Sequence, residues 1–85
     1  MPKQRMMKTS MTGPRLRAEI DALLPLSIDE RAAKMKKMPK FKLALIADVI
    51  IRLNKKEFGI EEVRQVLLWE MPNGEYYIEI QGKHF

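Results

Sequence analysis

The fold is decided by the stretch KFKLALIADVIIRLNKKE, residues 40–57. Most of its positions are apolar, while Asp48, Arg52 and Lys55 recur at i, i+4 and i+7 as a narrow polar stripe. A helix that is apolar on most of its circumference is buried on most of it. We therefore predict a central helix here, with the other elements of the chain packed around it.

Two shorter helices are predicted before the central one. Residues 15–24, RLRAEIDALL, place apolar side chains at helical spacing, and Pro25 ends that pattern. Ser27 is a suitable N-cap, and Glu30 three residues later completes a capping box. The second helix is therefore expected over residues 28–38, where a proline follows.

The segment after the central helix carries a mixed signal. Gly59 can adopt the left-handed conformation that ends a helix, and residues 60–66 then restart helical spacing. LLWEM, residues 67–71, could continue this helix or form a strand. We favour a helix that reaches about Leu68 or Trp69 and leave the strand as the alternative.

A β-hairpin is predicted at the C-terminal end. Asn73 and Gly74 tolerate positive φ and supply a turn, and EYYIEI at residues 75–80 alternates between two faces as a half-buried strand does. Its partner is either residues 67–71 or residues 81–85. The predicted class is mostly α with a C-terminal β-hairpin (α+β), with three to four short helices around a central helix.

Residues 1–14 show no apolar period, so we predict a flexible basic arm there and a single domain over residues 15–85. The chain has no Cys, its one histidine, His84, is penultimate, and no metal-ligand spacing or glycine-rich phosphate loop occurs. We therefore expect no catalytic residue, no metal and no cofactor. No apolar run approaches the ~20 residues of a membrane span, so we expect a cytoplasmic protein without a membrane partner.

Basic residues are concentrated in two short blocks. Residues 1–17 and residues 34–42 each hold five Lys or Arg and no acid, whereas residues 59–85 hold five Glu against two basic residues. A polyanion meets such blocks first, and phosphate contacts of this kind supply affinity rather than sequence choice. The candidate nucleic-acid contacts are Arg15, Arg17, Arg31, Lys34, Lys36, Lys37, Lys40 and Lys42.

The second half of the chain places a helix, a glycine turn, a helix and a hairpin in succession. These are FKLALIADVIIRLNKKEFGIEEVRQVLL, residues 41–68, and NGEYYIEIQGKHF, residues 73–85. This order resembles the winged-helix branch of the helix-turn-helix DNA-binding superfamily. The resemblance implies a recognition helix over residues 60–68, in which Arg64 and Gln65 would read bases. Because that helix is acidic, we expect phosphate contacts mainly from residues 31–42 and from the arm.

Two functions fit these patterns. The leading hypothesis is a small basic nucleic-acid-binding regulatory protein of the transcription-regulator type, with DNA favoured over RNA. The alternative is a small adaptor or inhibitor, of the phage or plasmid type, whose acidic helix–hairpin half binds a protein partner or a second copy. The candidate protein contacts in that half are Leu68, Trp69 and Tyr77.

Overall fold

Three α-helices and a three-stranded antiparallel sheet form an α+β fold in the computed structural model, which describes residues 4–82. The chain begins with β1 and continues through three helices and a short 3-10 turn into a hairpin. In chain order the elements are β1 (Met6–Thr12), α1 (Gly13–Leu23), α2 (Ile28–Lys36), α3 (Lys40–Asn54), a 3-10 turn (Ile60–Glu62), β2 (Val63–Glu70) and β3 (Tyr76–Gly82).

The sheet has the order β1-β2-β3, so the first half of the β-hairpin is its central strand. Val66 lies opposite Met11 on one side and Ile80 on the other, and this row faces the helices. Because side chains alternate along a strand, Trp69 and Tyr77, which lie opposite each other, belong to the other face. We call that second face the outer sheet face.

The core lies between the inner face of the sheet and helices α1 and α3. α3 contributes Leu45, Ile46 and Val49, which are fully buried, whereas Ile51 is 52% exposed. α3 is thus central to the core but less enclosed than its composition predicted. The buried residues together are Met11, Leu16, Ile20, Leu23, Leu45, Ile46, Val49, Val63, Val66 and Leu68.

The helix boundaries follow the local signals closely. Ser27 Oγ accepts a hydrogen bond from the Glu30 backbone N–H at 3.2 Å, and Glu30 Oε1 accepts one from the Ser27 N–H at 3.3 Å. The predicted capping box at the start of α2 is therefore confirmed. The end of α3 differs from the prediction, because Lys56 takes the left-handed conformation with a φ of 59° while Gly59 has a φ of −91°.

The N-terminal prediction needs correction. Residues 6–12 are not part of a flexible arm: they form β1, which pairs with β2 along its length, and α1 begins directly at Gly13. Gly13 is required at that junction, since a β-carbon there would overlap the Val63 carbonyl oxygen. Residues 1–3 of the predicted arm lie outside the described residues.

The prediction of a helix over residues 60–68 is also wrong. Only one 3-10 turn forms at Ile60–Glu62, and β2 then runs from Val63 to Glu70. The strand is stabilised by neighbours on both sides, with β1 and β3 each pairing along it, and the β-branched Val63 and Val66 suit that conformation. The predicted hairpin is present: β2 and β3 pair across a turn in which Gly74 has a φ of 86°.

Candidate functional site

The two basic blocks meet in space between α1 and α2. Arg15 of α1 and Lys34 of α2 line one shallow depression of about 440 Å³. Ala18 and Ala22 of α1 also line it. Glu19 and Lys42 line it as well, and their ion pair, with an Nζ–Oε1 distance of 2.7 Å, joins α1 to α3. Residues that are far apart in the sequence therefore form one cationic surface with a single carboxylate, and that carboxylate is neutralised.

Several of the predicted contacts are exposed and free of ion pairs. Within residues 4–82, no ion pair or side-chain hydrogen bond is formed by Arg15, Lys34, Lys36 or Lys37. Lys34 and Lys37 are three residues apart at the end of α2 and so lie on neighbouring positions of its surface. Lys36 is also exposed, but it lies two residues after Lys34 and so on the other side of α2. We call the remaining set the helical cation cluster: Arg15, Lys34 and Lys37.

Arg31 has a structural role instead of a place in that cluster. Its Nε donates to the Leu23 carbonyl oxygen at 3.1 Å, and one terminal nitrogen donates to the carbonyl oxygens of Leu24 and Leu26 at 3.1 and 3.5 Å. These carbonyls belong to the end of α1 and the loop after it, where backbone acceptors have no partner within the helix. Arg31 thus joins α1 to α2 through Nε and one terminal nitrogen.

Two further predicted contacts are not part of the cluster. Lys42 lines the same depression, but it is the partner of Glu19, so its charge is neutralised within the fold. Arg17 is exposed, but two residues along a helix correspond to a rotation of about 200°, which places it on the other side of α1 from Arg15. The depression accordingly includes Arg15 and not Arg17.

Lys40 belongs to a second group of side chains, where the start of α3 meets the sheet. The rings of Phe41 and Tyr76 are perpendicular, with their centroids 5.5 Å apart. Lys40 Nζ lies 5.7 Å from both centroids, and Lys8 Nζ lies 5.8 Å from that of Phe41. We call these four residues the Tyr76 cluster. Lys8 also pairs with Glu70 at 3.2 Å.

The outer sheet face combines aromatic side chains with a chain of polar ones. Trp69 lies opposite Met7 on one side and Tyr77 on the other, and the Arg5 guanidinium lies 4.3 Å from the Trp69 ring centroid. Trp69 Nε1 donates to Glu79 Oε1 at 3.1 Å. The other Glu79 oxygen accepts from Gln81 at 2.5 Å, and Gln81 in turn accepts from Gln65 at 2.6 Å.

Three of the predicted residues in the C-terminal half are placed differently from expectation. Leu68 is completely buried on the inner face of β2, so it is not an exposed protein contact; its neighbour Leu67 lies on the outer sheet face. Arg64 and Gln65 lie on β2 rather than on a recognition helix, and the Gln65 amide is bonded to Gln81. Trp69 and Tyr77 do lie on a common surface, as their prediction as contacts requires.

The sequence reasoning missed the contribution of β1, and of Arg5 just before it, to both surfaces. Lys8 joins the Tyr76 cluster, and Arg5 and Met7 join the outer sheet face. No local signal could have placed them there, because their positions follow from pairing with a strand more than 50 residues away. In the part of the chain that the structure describes, no group of three or more His, Cys, Asp or Glu side chains could hold a metal ion.

None of the helices in residues 4–82 has the length and apolar character needed to cross a membrane. No protein-family model, no curated protein and no solved structure matches this chain.

Proposed function

We propose that this protein binds nucleic acid by contacting phosphates through the helical cation cluster. The observation that supports this most is that Arg15 and Lys34 line one depression, with Lys37 at a neighbouring position of the α2 surface, and that all three cations are exposed. Free cations that converge on one surface attract a polyanion and release its counterions on binding. The net charge of +5 adds long-range attraction.

The order of elements is compatible with a DNA-binding regulator of the winged-helix type, with one change to the expected assignment. A helix pair does precede a hairpin, but the pair is α2 and α3, joined by the three residues 37–39. Helix-turn-helix pairs have turns of about this length. We therefore extend the proposal to a role in regulation on DNA, with α2 and the start of α3 as the DNA-facing elements.

Titration of labelled nucleic acid tests the proposal directly. We expect micromolar or tighter binding in fluorescence anisotropy at ~50 mM salt, weakening roughly 20- to 40-fold at ~200 mM if three phosphates are contacted. Labelled duplex DNA, single-stranded DNA and RNA are compared in parallel. Absence of binding to all three at the lower salt concentration would refute the proposal.

A matched pair of charge reversals locates the binding surface. Lys34→Glu with Lys37→Glu places two negative charges in the helical cation cluster and is expected to abolish measurable binding. Lys55→Glu with Lys56→Glu makes the same change in net charge beyond the opposite end of α3, about 20 Å along the helix from its start. If the two double variants lose affinity equally, the cluster is not the site.

A second candidate function is supported by the outer sheet face. Met7, Trp69 and Tyr77 form a continuous apolar row, with Met7 and Tyr77 about half exposed and no described helix packed over it. Exposed aromatic side chains of this kind favour contact with a protein. Binding of a partner or a second copy there is expected to be nearly insensitive to salt. It is expected to be lost in Tyr77→Lys. For the homodimer, sedimentation velocity at increasing protein concentration measures both effects.

A further inference from the structure

The Tyr76 cluster brings an exposed aromatic ring into the cationic half of the molecule. In the sequence, Tyr76 lies in the acidic C-terminal segment, more than 30 residues from the lysine block. In the fold, its ring contacts Phe41 edge to face and lies 5.7 Å from Lys40 Nζ. An aromatic ring beside lysines is the combination with which proteins bind unpaired bases while holding the adjoining phosphates.

We infer that the preferred ligand of this protein is single-stranded nucleic acid, with one base stacked on Tyr76 and a neighbouring phosphate on Lys40. This inference rests on the proposed binding of nucleic acid by the cationic half, and it assigns the form of nucleic acid bound. It departs from the duplex that the winged-helix order of elements implies.

Tyr76 is both accessible and held in place. Its side chain belongs to a residue that is 43% exposed, while Phe41 is half-buried and packs against the hydrophobic core. The perpendicular contact with Phe41 therefore fixes the orientation of the Tyr76 ring from the protein side. A ring that is fixed before binding loses little conformational freedom when a base stacks on it.

Lys40 is the cation of this cluster that is free to meet a phosphate. Lys8 is neutralised by Glu70 at 3.2 Å, whereas Lys40 forms no ion pair within residues 4–82 and lies only near the two rings. Lys37 precedes Lys40 by three residues, so their Cα atoms are within about 11 Å of each other. The Tyr76 cluster is thus continuous with the helical cation cluster, and a strand of several nucleotides can contact both.

The hairpin turn supplies no phosphate contact, so its role at this surface depends on the Tyr76 ring. The connection between β2 and β3, residues 71–75, contains one acid and no basic residue, and it adjoins Tyr76. A turn that contacts a nucleic-acid backbone needs cations to offset the phosphates. The faces of paired bases are also covered by their neighbours in a duplex, so Tyr76 can stack only on a base that is unpaired.

The test compares ligands that differ only in whether a base can stack. Anisotropy is measured for a labelled single strand of about 12 nucleotides, for its duplex with the complementary strand, and for an abasic strand with the same number of phosphates. We expect the single strand to bind roughly 5- to 150-fold more tightly than the abasic strand, the range that stacking of one base covers. Equal affinity for these two strands would overturn the inference.

Adjacent tyrosines provide the matched variants. Tyr76→Leu is expected to lower affinity for the single strand by the same factor, while Tyr76→Phe keeps the ring and the affinity. Tyr77→Leu is the control, because Tyr77 is similarly exposed but lies on the outer sheet face. If Tyr76→Leu fails to fold, the abasic comparison with the unmodified protein decides the question without it.

Trp69 provides a second readout, because it is the sole tryptophan of the chain and lies on the outer sheet face. Its emission is expected to remain constant during binding, and strong quenching would place the bases on that face and overturn the assignment to Tyr76. Another outcome is that binding is lost in Lys34→Glu with Lys37→Glu and yet is equal for single-stranded, abasic and duplex ligands in the unmodified protein. That result would leave the proposed function intact and overturn this inference alone. No binding to any ligand would remove both.

Discussion

The helical cation cluster and the outer sheet face are both exposed and both contain polar side chains. They differ in whether those side chains have partners within the fold. On the outer sheet face, Glu79 accepts hydrogen bonds from Trp69 and Gln81, so its charge is engaged within the fold. In the helical cation cluster, the described residues offer Arg15, Lys34 and Lys37 no such partner. The first surface offers apolar contact area, whereas the second offers unneutralised charge.

Because of this difference, the two candidate functions should depend differently on salt concentration. Contacts between phosphates and free lysines weaken steeply with salt because counterions are released on binding. Burial of Met7, Trp69 and Tyr77 depends on apolar area, which salt at these concentrations changes little. Salt dependence is therefore a direct measure of which surface a partner uses.

The largest expected effect is on the free energy of unfolding, when adjacent leucines on the two faces of the sheet are each replaced by alanine. Leu68 is fully buried on the inner face, so Leu68→Ala is expected to lower the free energy of unfolding by about 2–5 kcal/mol. Leu67→Ala removes the same atoms from the outer sheet face, where the side chain is only half-buried, and is expected to have a clearly smaller effect. Urea unfolding followed by circular dichroism gives both values; equal losses would contradict the assignment of faces.

An intermediate effect separates Arg31 from Lys34, which neighbour each other on α2 but have different roles. Arg31→Gln removes the charged donors to three backbone carbonyls and is expected to cost about 1.5–3 kcal/mol of unfolding free energy. Lys34→Gln is expected to leave stability within about 0.5 kcal/mol, because it is an exposed side chain without a partner.

Nucleic-acid affinity should show the reverse order for this pair. At a temperature where both proteins are folded, Lys34→Gln weakens binding in anisotropy and Arg31→Gln leaves it unchanged. A larger loss of affinity for Arg31→Gln would mean that its hydrogen bonds to the loop are given up when the ligand binds.

The smallest effect is expected in the salt dependence of nucleic-acid affinity, when Arg15 and Arg17, two exposed arginines on opposite sides of α1, are replaced in turn. Arg15→Ala removes one cation that lines the depression, so the slope of log affinity against log salt should decrease by about one unit. Arg17→Ala changes net charge equally and should leave that slope unchanged. The slopes are measured by anisotropy at four or more salt concentrations, and equal slopes for the two variants would extend the binding surface around α1.

The structural elements that depend on near neighbours in the chain were predictable. The helices at residues 13–23, 28–36 and 40–54 lie close to the predicted ranges, because helical periodicity and the Ser27–Glu30 capping box act within a few residues. The turn at Asn73-Gly74 was predictable for the same reason. β1 was not, since MMKTSMT has no clear alternation and becomes a strand only through pairing with β2.

The candidate site was also predictable only in the features that depend on near neighbours in the chain. The sequence shows that Arg15 and the lysines of residues 34–42 belong to two basic blocks that contain no acid. It does not show that Lys42 is neutralised by Glu19 or that Arg31 bonds to backbone carbonyls, since both partners lie on other elements. Tyr76 was unpredictable as a neighbour of Lys40 for the same reason.

The amino-acid sequence by itself determined the positions of the three helices, the hairpin turn and the segregation of charge along the chain. Each of these depends on spacing and on residue type over a short range, where helical and turn geometry leave few alternatives. Only the tertiary structure decided that residues 63–70 form a central strand, which cations remain free, and that Tyr76 joins the lysines. These features depend on contacts between distant segments, and such contacts form only when the apolar face of each element is buried against another.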